Sequence, residues 1–464
     1  MAGRDAGAPG AGNTVKFAVM SLVGIFLFMV PLPAGGGTFN IPLGFAIGWL
    51  GGLLNSVQVN GFGLIVLLAC IIITVSLLGS LLAYTAKPAF IMKSDKLRRL
   101  FRCNIVYFAS KAVGAVLAWL VFFGAGPGWV IDQYDGAGLM MDLISGSTGL
   151  IAIFIVIGIA IPLLTDFGLM EFLGVLIRKV IRFLFTLPGR SSIDLLGSWF
   201  SSSAASVMIT RDQHEKGFYT GREAAAICVN FTLVSLPFTF VVAGAVGLME
   251  HFGLFYLVIC VTSILLAVIM PRIWPLRRIK DEYLPEVGKQ IQEEVPANVP
   301  LFRQAVKLAG GRAGGTGPAG VVKSGVSNWT NIFMDLIPVI MAWGTIALVV
   351  NATTPIFQWL SWPFGQFLRL LQVPGAMEYA PVTIVGFIDM YLPAVLLGTA
   401  APIQTRFILG ALSIVQIIYM AETGILILKS KIPLHIGHLA ILFLMRTVLA
   451  LPVIVLLARL LFHP

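Results

Sequence analysis

The sequence predicts an all-α protein that crosses a membrane several times. Hydrophobic residues make up 58% of its 464 residues and charged residues only 11%, whereas a soluble domain carries roughly 25% charged residues. A helix needs about 20 mostly apolar residues to cross the hydrocarbon core of a bilayer. Apolar runs near that length occur at 17–31, 61–83, 104–123, 148–164, 223–248, 252–271, 332–350, 405–428 and 434–461. These runs indicate about nine transmembrane helices.

The first apolar run, 17–31, fits two roles. Lys16 before it and Ala34 after it are typical of the flanks of a secretory signal peptide. Its apolar part is long for a signal, however, and many further runs follow. We therefore expect a retained membrane anchor.

Lysine and arginine residues indicate which loops face the cytoplasm, because cytoplasmic loops of membrane proteins are enriched in them. Basic residues cluster in four segments, at 93–102, 178–190, 274–330 and 429–431. Residues 112–177 contain neither Lys nor Arg and are expected outside. The net charge of +10 thus belongs to cytoplasmic loops and does not indicate a nucleic-acid partner. We expect an inner-membrane protein with a cytoplasmic N-terminus and a periplasmic C-terminus.

A polar stretch, "LGSWFSSSAASVMITR" at 196–211, interrupts the apolar sequence. If 193–209 crossed the membrane, the basic segment 274–330 would lie outside, against the charge bias. If the stretch enters and leaves from the same side, every basic cluster is cytoplasmic. Backbone that is not helical is tolerated at membrane depth only where protein or water satisfies its polar groups. The sequence therefore predicts a re-entrant hairpin here.

The elements around this hairpin recur in the same order in the second half of the chain. Each half has a span, an amphipathic stretch (171–190 or 353–376), a polar hairpin and a further span that begins near an arginine. The second hairpin is "VGFIDMYLPAVLLGTA", which contains both Asp and Pro. The first unit is expected to start outside and the second inside. The two would then form an inverted-topology repeat, an arrangement typical of secondary transporters.

These patterns divide the chain into six regions. They are N-terminal scaffold helices at 1–127, a first repeat at 148–248, a connecting span at 249–273, a cytoplasmic linker at 274–330, a second repeat at 332–428 and a C-terminal span at 434–464. Within the linker, "PLFRQAVKLAG" predicts a short amphipathic helix. The linker motif "GTGPAG" matches a dinucleotide-binding pattern, but it follows no strand and contains proline, so we interpret it as a loop.

The amphipathic helix, the Ser-rich hairpin, the "GREAAAI" opening at 221–227 and the broken span together resemble the Gate, or nucleoside-recognition, domain. Over its whole length, including "KFAVMSLVGIFLFMVP" at 16–31, the chain resembles the YjiH family of bacterial inner-membrane proteins. The resemblance implies a transporter-like core of paired hairpins and broken helices, similar to that of concentrative nucleoside transporters. The carboxylate-and-amide motif of those transporters' substrate site is not found in this sequence, so the resemblance does not identify the solute.

Polar residues inside the predicted spans and hairpins are the candidate site. A charged residue at the centre of a span costs roughly 2.5–3.5 kcal/mol on insertion scales, so those present are candidates for function. Asp389 lies in the second hairpin, Glu422 lies in the span after it, and Arg446 lies deep in the last span, where it is expected to pair with one of them. The remaining candidate ligands are Thr423, Gln416, Ser201, Ser202, Ser203, Asn230 and Ser235. The alternative role for these neutral groups is hydrogen bonding between helices.

The sequence thus predicts a secondary transporter of a small polar solute that is nucleoside-like, amino-acid-like or an organic ion. It would work by alternating access, driven by protons or Na⁺ that bind Asp389 or Glu422. The alternative is a membrane subunit that needs a second Gate-domain subunit, or further copies of itself. We do not expect an enzyme, because HExxH and GxSxG motifs and clustered metal ligands are missing from the sequence. No cofactor is predicted beyond the coupling ion, and the expected partners are the solute and the lipid bilayer.

Overall fold

A computed structural model of the chain shows a protein built almost entirely of α-helices. It describes residues 11–30, 32–35, 38–102, 105–131, 136–146, 149–185, 187–189, 191–192, 195–196, 203–231, 236–288 and 300–461. The chain forms two compact units. The first comprises Met1–Phe39, Ile161–Val321 and Ser361–Pro464, and the second comprises Asn40–Ala160 and Val322–Leu360.

Between Ala11 and Thr165, the described residues form four short strands and nine helices. The strands are β1 (Leu32–Gly35), β2 (Thr38–Asn40), β3 (Gln58–Val59) and β4 (Phe62–Gly63), and β3 pairs antiparallel with β4 through Gln58 opposite Gly63. The helices are α1 (Ala11–Met29), α2 (Pro42–Ser56), α3 (Leu64–Tyr84), α4 (Ala89–Lys93), α5 (Asp95–Phe101), α6 (Ile105–Phe123), α7 (Gly128–Ile131), α8 (Ala137–Ser145) and α9 (Leu150–Thr165).

The remaining elements are helices with short 3₁₀ and π segments between them. They are α10 (Leu169–Phe185), α11 (Ser203–Glu215), α12 (Gly221–Asn230), α13 (Leu236–Ala245), α14 (Phe252–Ile269), α15 (Leu301–Gly314), α16 (Pro318–Asn331), α17 (Ile337–Thr353), α18 (Ile356–Leu370), α19 (Val382–Val385), α20 (Leu392–Leu397), α21 (Ile403–Val415), α22 (Ile425–Leu428) and α23 (Ile436–Leu461). The 3₁₀ turns are Met249–His251, Met270–Arg272 and Leu276–Arg278, and the π segments are Ile332–Leu336 and Met420–Gly424.

Several of these helical stretches are long and apolar enough to cross a membrane. They are Ala11–Phe28, Leu64–Tyr84, Met249–Arg272 and Ile436–Leu461, together with the apolar region Ala137–Thr165 that contains α8 and α9. The bent pair α17–α18 makes six within the described part of the chain if it is counted as one span. The predicted class, a helical multi-pass membrane protein, is confirmed. The predicted number of nine spans is not, because the runs at 223–248 and 405–428 consist of shorter helices where the structure describes them.

Close helix packing stabilises the second unit. A Cβ on Gly114 of α6 would lie 2.4 Å from the Pro338 carbonyl oxygen of α17, so only glycine permits this approach. Trp343 Nε1 of α17 donates to Ser110 Oγ of α6 at 2.9 Å. The Lys111 ammonium is fully buried beside them, and one of its hydrogen bonds goes to Ser80 Oγ at 3.2 Å.

Two series of elements each begin with an amphipathic helix. Amphipathic helix α10 precedes α11, α12 and α13, and amphipathic helix α18 precedes α19, α20, α21 and α22. Phe183 of α10 and Trp359 of α18 are exposed, as expected for helices at a membrane surface, while Leu368 of α18 is buried. The opposite membrane orientation of the two series stays a prediction.

The predicted linker contributes packed helices. Helix α15 lies against α1 and α10, where Phe17, Phe167, Ala309 and Ala313 form a buried cluster. Gly168 has φ +98° and would place a Cβ 2.4 Å from the Ala309 carbonyl oxygen, so this turn requires glycine. The part of the predicted linker from Leu301 to Gly314 is therefore a packed helix, and it includes the helix predicted in "PLFRQAVKLAG".

Candidate functional site

The second series contains a helix that breaks within its apolar sequence. Helix α21 ends at Val415, and Ile417 has a left-handed backbone with φ +63°. A β-branched residue in this region is strained by about 1–3 kcal/mol, so surrounding contacts must hold it there. The chain then forms the π segment Met420–Gly424 before α22.

Thr423 and Tyr419 satisfy the backbone of this break. The Thr423 hydroxyl lies 3.2 Å from the carbonyl oxygens of Ile417 and Tyr419, and the Tyr419 N–H donates to the same hydroxyl at 3.2 Å. The Tyr419 hydroxyl donates back to the Ser413 carbonyl oxygen at 2.9 Å. Thr423, a predicted ligand, thus holds the shape of the break.

Gln416, directly after α21, is fully buried and has one free polar atom. Its Nε2 donates to the Thr383 carbonyl oxygen at 2.7 Å and to Thr447 Oγ1 at 2.8 Å. The Thr447 hydroxyl itself donates to the Phe443 carbonyl oxygen at 2.9 Å, which fixes the direction of the second bond. The Gln416 Oε1 atom has no hydrogen-bond partner. A buried acceptor of this kind is available to a donor that enters the site.

The first series has the matching feature at the end of α12. This helix begins with a capping box, in which the Glu223 N–H donates to Thr220 Oγ1 and the Thr220 N–H donates to Glu223 Oε2. It ends at Asn230, which is buried, and Asn230 Nδ2 donates to the Ala226 carbonyl oxygen at 3.0 Å. Each broken helix therefore ends in a valine followed by a buried amide side chain, Val229–Asn230 and Val415–Gln416.

Arg446 of α23 joins the two helix ends. Its Nη1 donates to the Val229 carbonyl oxygen at 3.0 Å and to Asn230 Oδ1 at 2.8 Å. Its Nε and Nη2 donate to the Val415 carbonyl oxygen at 3.1 and 2.8 Å. Arg446 is fully buried, and the predicted ion pair with Asp389 is not among the ion pairs of the described residues.

Asp389 lies in the second hairpin, between α19 and α20. Its Oδ1 accepts a hydrogen bond from the Tyr391 N–H at 2.8 Å, so it orders the turn into α20. Met420 N–H donates to the Phe387 carbonyl oxygen at 2.9 Å, which joins the hairpin to the break. At Gly386, a Cβ would lie only 2.3 Å from Gln416 Oε1. The hairpin therefore covers the free oxygen of Gln416 through a glycine.

The other predicted ligands are placed less completely. Ser203 is buried at the start of α11. Glu422 belongs by its backbone to the π segment, and its side chain lies outside the description. Ser201, Ser202 and Ser235 lie outside the described residues. The structure thus places Asn230 on Arg446 at the end of α12, and places Gln416 and Thr423 at the break after α21. Asp389 lies in the segment that Phe387 joins to this break.

A separate cavity of about 250 Å³ lies beside the start of α12. Its walls include Arg222, Glu223 and Asp281, and none of the predicted ligands that the structure describes lines it. Asp281 Oδ1 accepts from Thr220 Oγ1 at 2.6 Å, and the Gly221 N–H donates to the Glu282 carbonyl oxygen at 3.0 Å. The segment 279–288 therefore closes over the start of this helix.

The same segment is also tied to the loop after α22. Lys431 Nζ donates to Glu286 Oε2 at 2.8 Å, and both side chains are exposed. This hydrogen bond and the charge of Lys431 lower the pKa of Glu286, and the same contact raises the pKa of Lys431. Solvent screens such exposed pairs, so the contact positions the segment more than it stabilises the fold.

The sequence does not indicate that Arg446 joins the two helix ends. A single arginine in an apolar span marks a functional position, but backbone carbonyl partners leave no residue signature. The residue pairs Val229–Asn230 and Val415–Gln416 are both visible in the sequence, but nothing in the sequence indicates that they bind an arginine.

Comparison with known proteins gives three findings. A model of the Gate family, described as nucleoside recognition, matches residues 147–270, which contain α9 to α14. An uncharacterized protein of Alkalihalophilus pseudofirmus is 42% identical over 451 residues, which are 97% of this chain and 95% of that protein. The structure of CNTnw in an inward-facing substrate-bound state is similar over 97% of this chain and 99% of that chain, with 13% identity and a TM-score of 0.39. Because that TM-score is low, the likeness carries no conclusion about fold or solute.

Proposed function

Because the chain belongs to the family of this Alkalihalophilus pseudofirmus protein and contains a Gate domain at 147–270, we propose that it is a secondary transporter. It moves a small polar solute, such as a nucleoside-like, amino-acid-like or organic-ion solute, by alternating access.

The meeting of two broken helices at a buried polar cluster carries this proposal. In transporters, discontinuous helices end near the membrane midplane and use their exposed backbone and side chains to bind solute and ions. Here α12 ends at Asn230 and α21 ends at Val415, and Arg446 donates to both Asn230 Oδ1 and the Val415 carbonyl oxygen. Polar groups are costly inside a bilayer, so a cluster of them is a site by default.

The residues have distinct roles in the proposed cycle. The free Gln416 oxygen accepts a donor from the solute once the second hairpin moves away from it. Asp389, in that hairpin, binds the coupling proton, Na⁺ or a cationic part of the solute, as does Glu422. Ser201, Ser202, Ser203, Asn230 and Ser235 line the solute path from the first repeat.

Uptake into proteoliposomes tests the proposal. The purified chain is reconstituted and offered nucleosides, amino acids, organic acids and divalent metals, with and without proton and Na⁺ gradients. Gradient-dependent uptake of one class is expected. Uptake that requires a second membrane subunit would instead favour a partner-dependent Gate protein.

A matched pair of variants tests the carboxylate in the second hairpin. Asp389→Asn should abolish uptake while the protein still elutes as a monodisperse peak. Asp142→Asn, at an exposed position in α8, should transport like the wild type. Equal uptake by both variants would remove Asp389 from the mechanism.

A further inference from the structure

Three oxygen atoms from two helix ends converge on one cationic group. They are the Val229 carbonyl oxygen, the Asn230 amide oxygen and the Val415 carbonyl oxygen, and each lies 2.8–3.1 Å from a nitrogen of Arg446. Carbonyl and amide oxygens are the ligands that hard cations such as Na⁺ and Ca²⁺ use in proteins. In transporters, the carboxyl ends of broken helices are common places for such cations.

Among the described side chains, no carboxylate forms an ion pair with the positive charge of Arg446, so other groups must balance that charge. The C-terminus of a helix carries about −0.5 elementary charge, so two of them together offset the single positive charge of one guanidinium. Arg446 is fully buried and uses Nε, Nη1 and Nη2 to bind both helix ends at once. Its position therefore resembles that of a bound monovalent cation.

We propose that the Arg446 guanidinium occupies a cation site formed by the ends of α12 and α21, as a tethered cation in place of a mobile one. No free Na⁺ or K⁺ is needed at this position, so an ion that drives transport binds elsewhere. This inference rests on the proposed function only where it concerns the driving ion. The cation site itself can be tested by measuring the stability of the folded protein, whether or not it transports a solute.

The chain without the guanidinium should become responsive to small cations. In Arg446→Ala, the three oxygens face an empty space, so the melting temperature falls and then rises saturably with guanidinium chloride, or with NaCl in place of choline chloride. Guanidinium is used far below denaturing concentrations. Wild-type protein in the same salts should show no such rise, because the site is occupied.

Arg446→Met is the matched control, since methionine fills the same space without donating a hydrogen bond. It should be destabilised but should not respond to guanidinium or Na⁺. If Arg446→Ala fails to purify, its recovery when guanidinium is present throughout supports the proposal, and failed recovery overturns it. An Arg446→Ala melting temperature that no cation changes, or an equal response from Arg446→Met, also overturns it.

The transport result is separate from this test. If wild-type protein transports none of the offered solutes while Arg446→Ala still responds to guanidinium, the cation site stands and the proposed function falls. If uptake is observed and the variant does not respond, the function stands and the tethered-cation proposal falls.

Discussion

Substituting alanine at Gly386 would push the second hairpin away from the broken helix. The backbone at this position has φ −55° and ψ −22°, which alanine adopts freely, so the only conflict is steric. The new Cβ would lie 2.3 Å from Gln416 Oε1 and 3.4 Å from Pro393 Cγ. The contact with Oε1 is far shorter than van der Waals separation, which for carbon atoms is about 3.5–4.0 Å.

Gln416 cannot rotate away from this methyl group without loss. Its amide is held by hydrogen bonds of 2.7 and 2.8 Å to Thr383 and Thr447. Overpacking of a buried contact costs about 1–3 kcal/mol, and each hydrogen bond that breaks adds about 0.5–1.5 kcal/mol. We therefore expect Gly386→Ala to lower the free energy of unfolding by about 1–3 kcal/mol if both bonds survive, and by more if they break.

The assay is thermal and denaturant unfolding of the purified variants in detergent. Gly410→Ala is the control, because a Cβ there meets only ordinary contacts at 3.5 Å or more from Phe255 and Val246. It should be neutral or slightly stabilising, since alanine is favoured over glycine within a helix. Gln416→Ala combined with Gly386→Ala should relieve the clash, so the two changes should not be additive. Wild-type stability of Gly386→Ala would refute the contact.

Three further outcomes are expected. Thr423→Val should destabilise the protein by about 1–3 kcal/mol, because the break loses its hydroxyl, while Thr423→Ser should not, as unfolding experiments can check. Gly247 has φ +65° and a Cβ there would lie 2.7 Å from Arg406 Nη1, so Gly247→Ala should cost about 1–3 kcal/mol in the same assay; a neutral effect would contradict the geometry. Because the folded pKa of Glu286 is lowered, its ion pair contributes fully above the ordinary glutamate pKa of about 4.3 and is lost as the pH falls through the lowered value. The small difference in melting temperature between wild type and Glu286→Gln should therefore vanish in acid. A difference that grows as the pH falls would contradict the lowered pKa of Glu286.

The long uninterrupted helices follow from the sequence with little error. The runs at 61–83 and 434–461 predict α3 (Leu64–Tyr84) and α23 (Ile436–Leu461) to within three residues at each end. An unbroken apolar stretch leaves the backbone no partner in a bilayer except its own carbonyl groups, so it must be helical. Local composition is then enough to place the element.

The break after α21 does not follow from local composition. Residues 416–419 read Gln-Ile-Ile-Tyr and contain neither proline nor glycine, so hydropathy continues smoothly through 405–428. The contacts that accompany the break come from distant residues. Arg446 binds the Val415 carbonyl oxygen, and Thr383 and Thr447 hold Gln416. Contacts across more than 30 residues have no local signature, so the sequence predicts one continuous span here.

Asp389 shows the same limit for the site. The sequence predicts that it lies in a hairpin with Pro393, and the structure places it between the short helices α19 and α20. The sequence favours an ionic partner for it, whereas the described contact is a hydrogen bond from the Tyr391 N–H. A carboxylate at a turn has both options, and only the three-dimensional arrangement decides between them.

Cysteine labelling from each side of the membrane tests the inverted repeat most directly. In a chain without its native cysteines, Asp212→Cys reports on the end of the first hairpin and Thr399→Cys on the end of the second, both at exposed positions. A membrane-impermeant reagent should label the cysteine at 212 only from the cytoplasmic side and the cysteine at 399 only from the periplasmic side. Labelling of both from the same side would contradict the inverted repeat and, with it, the proposed transport mechanism.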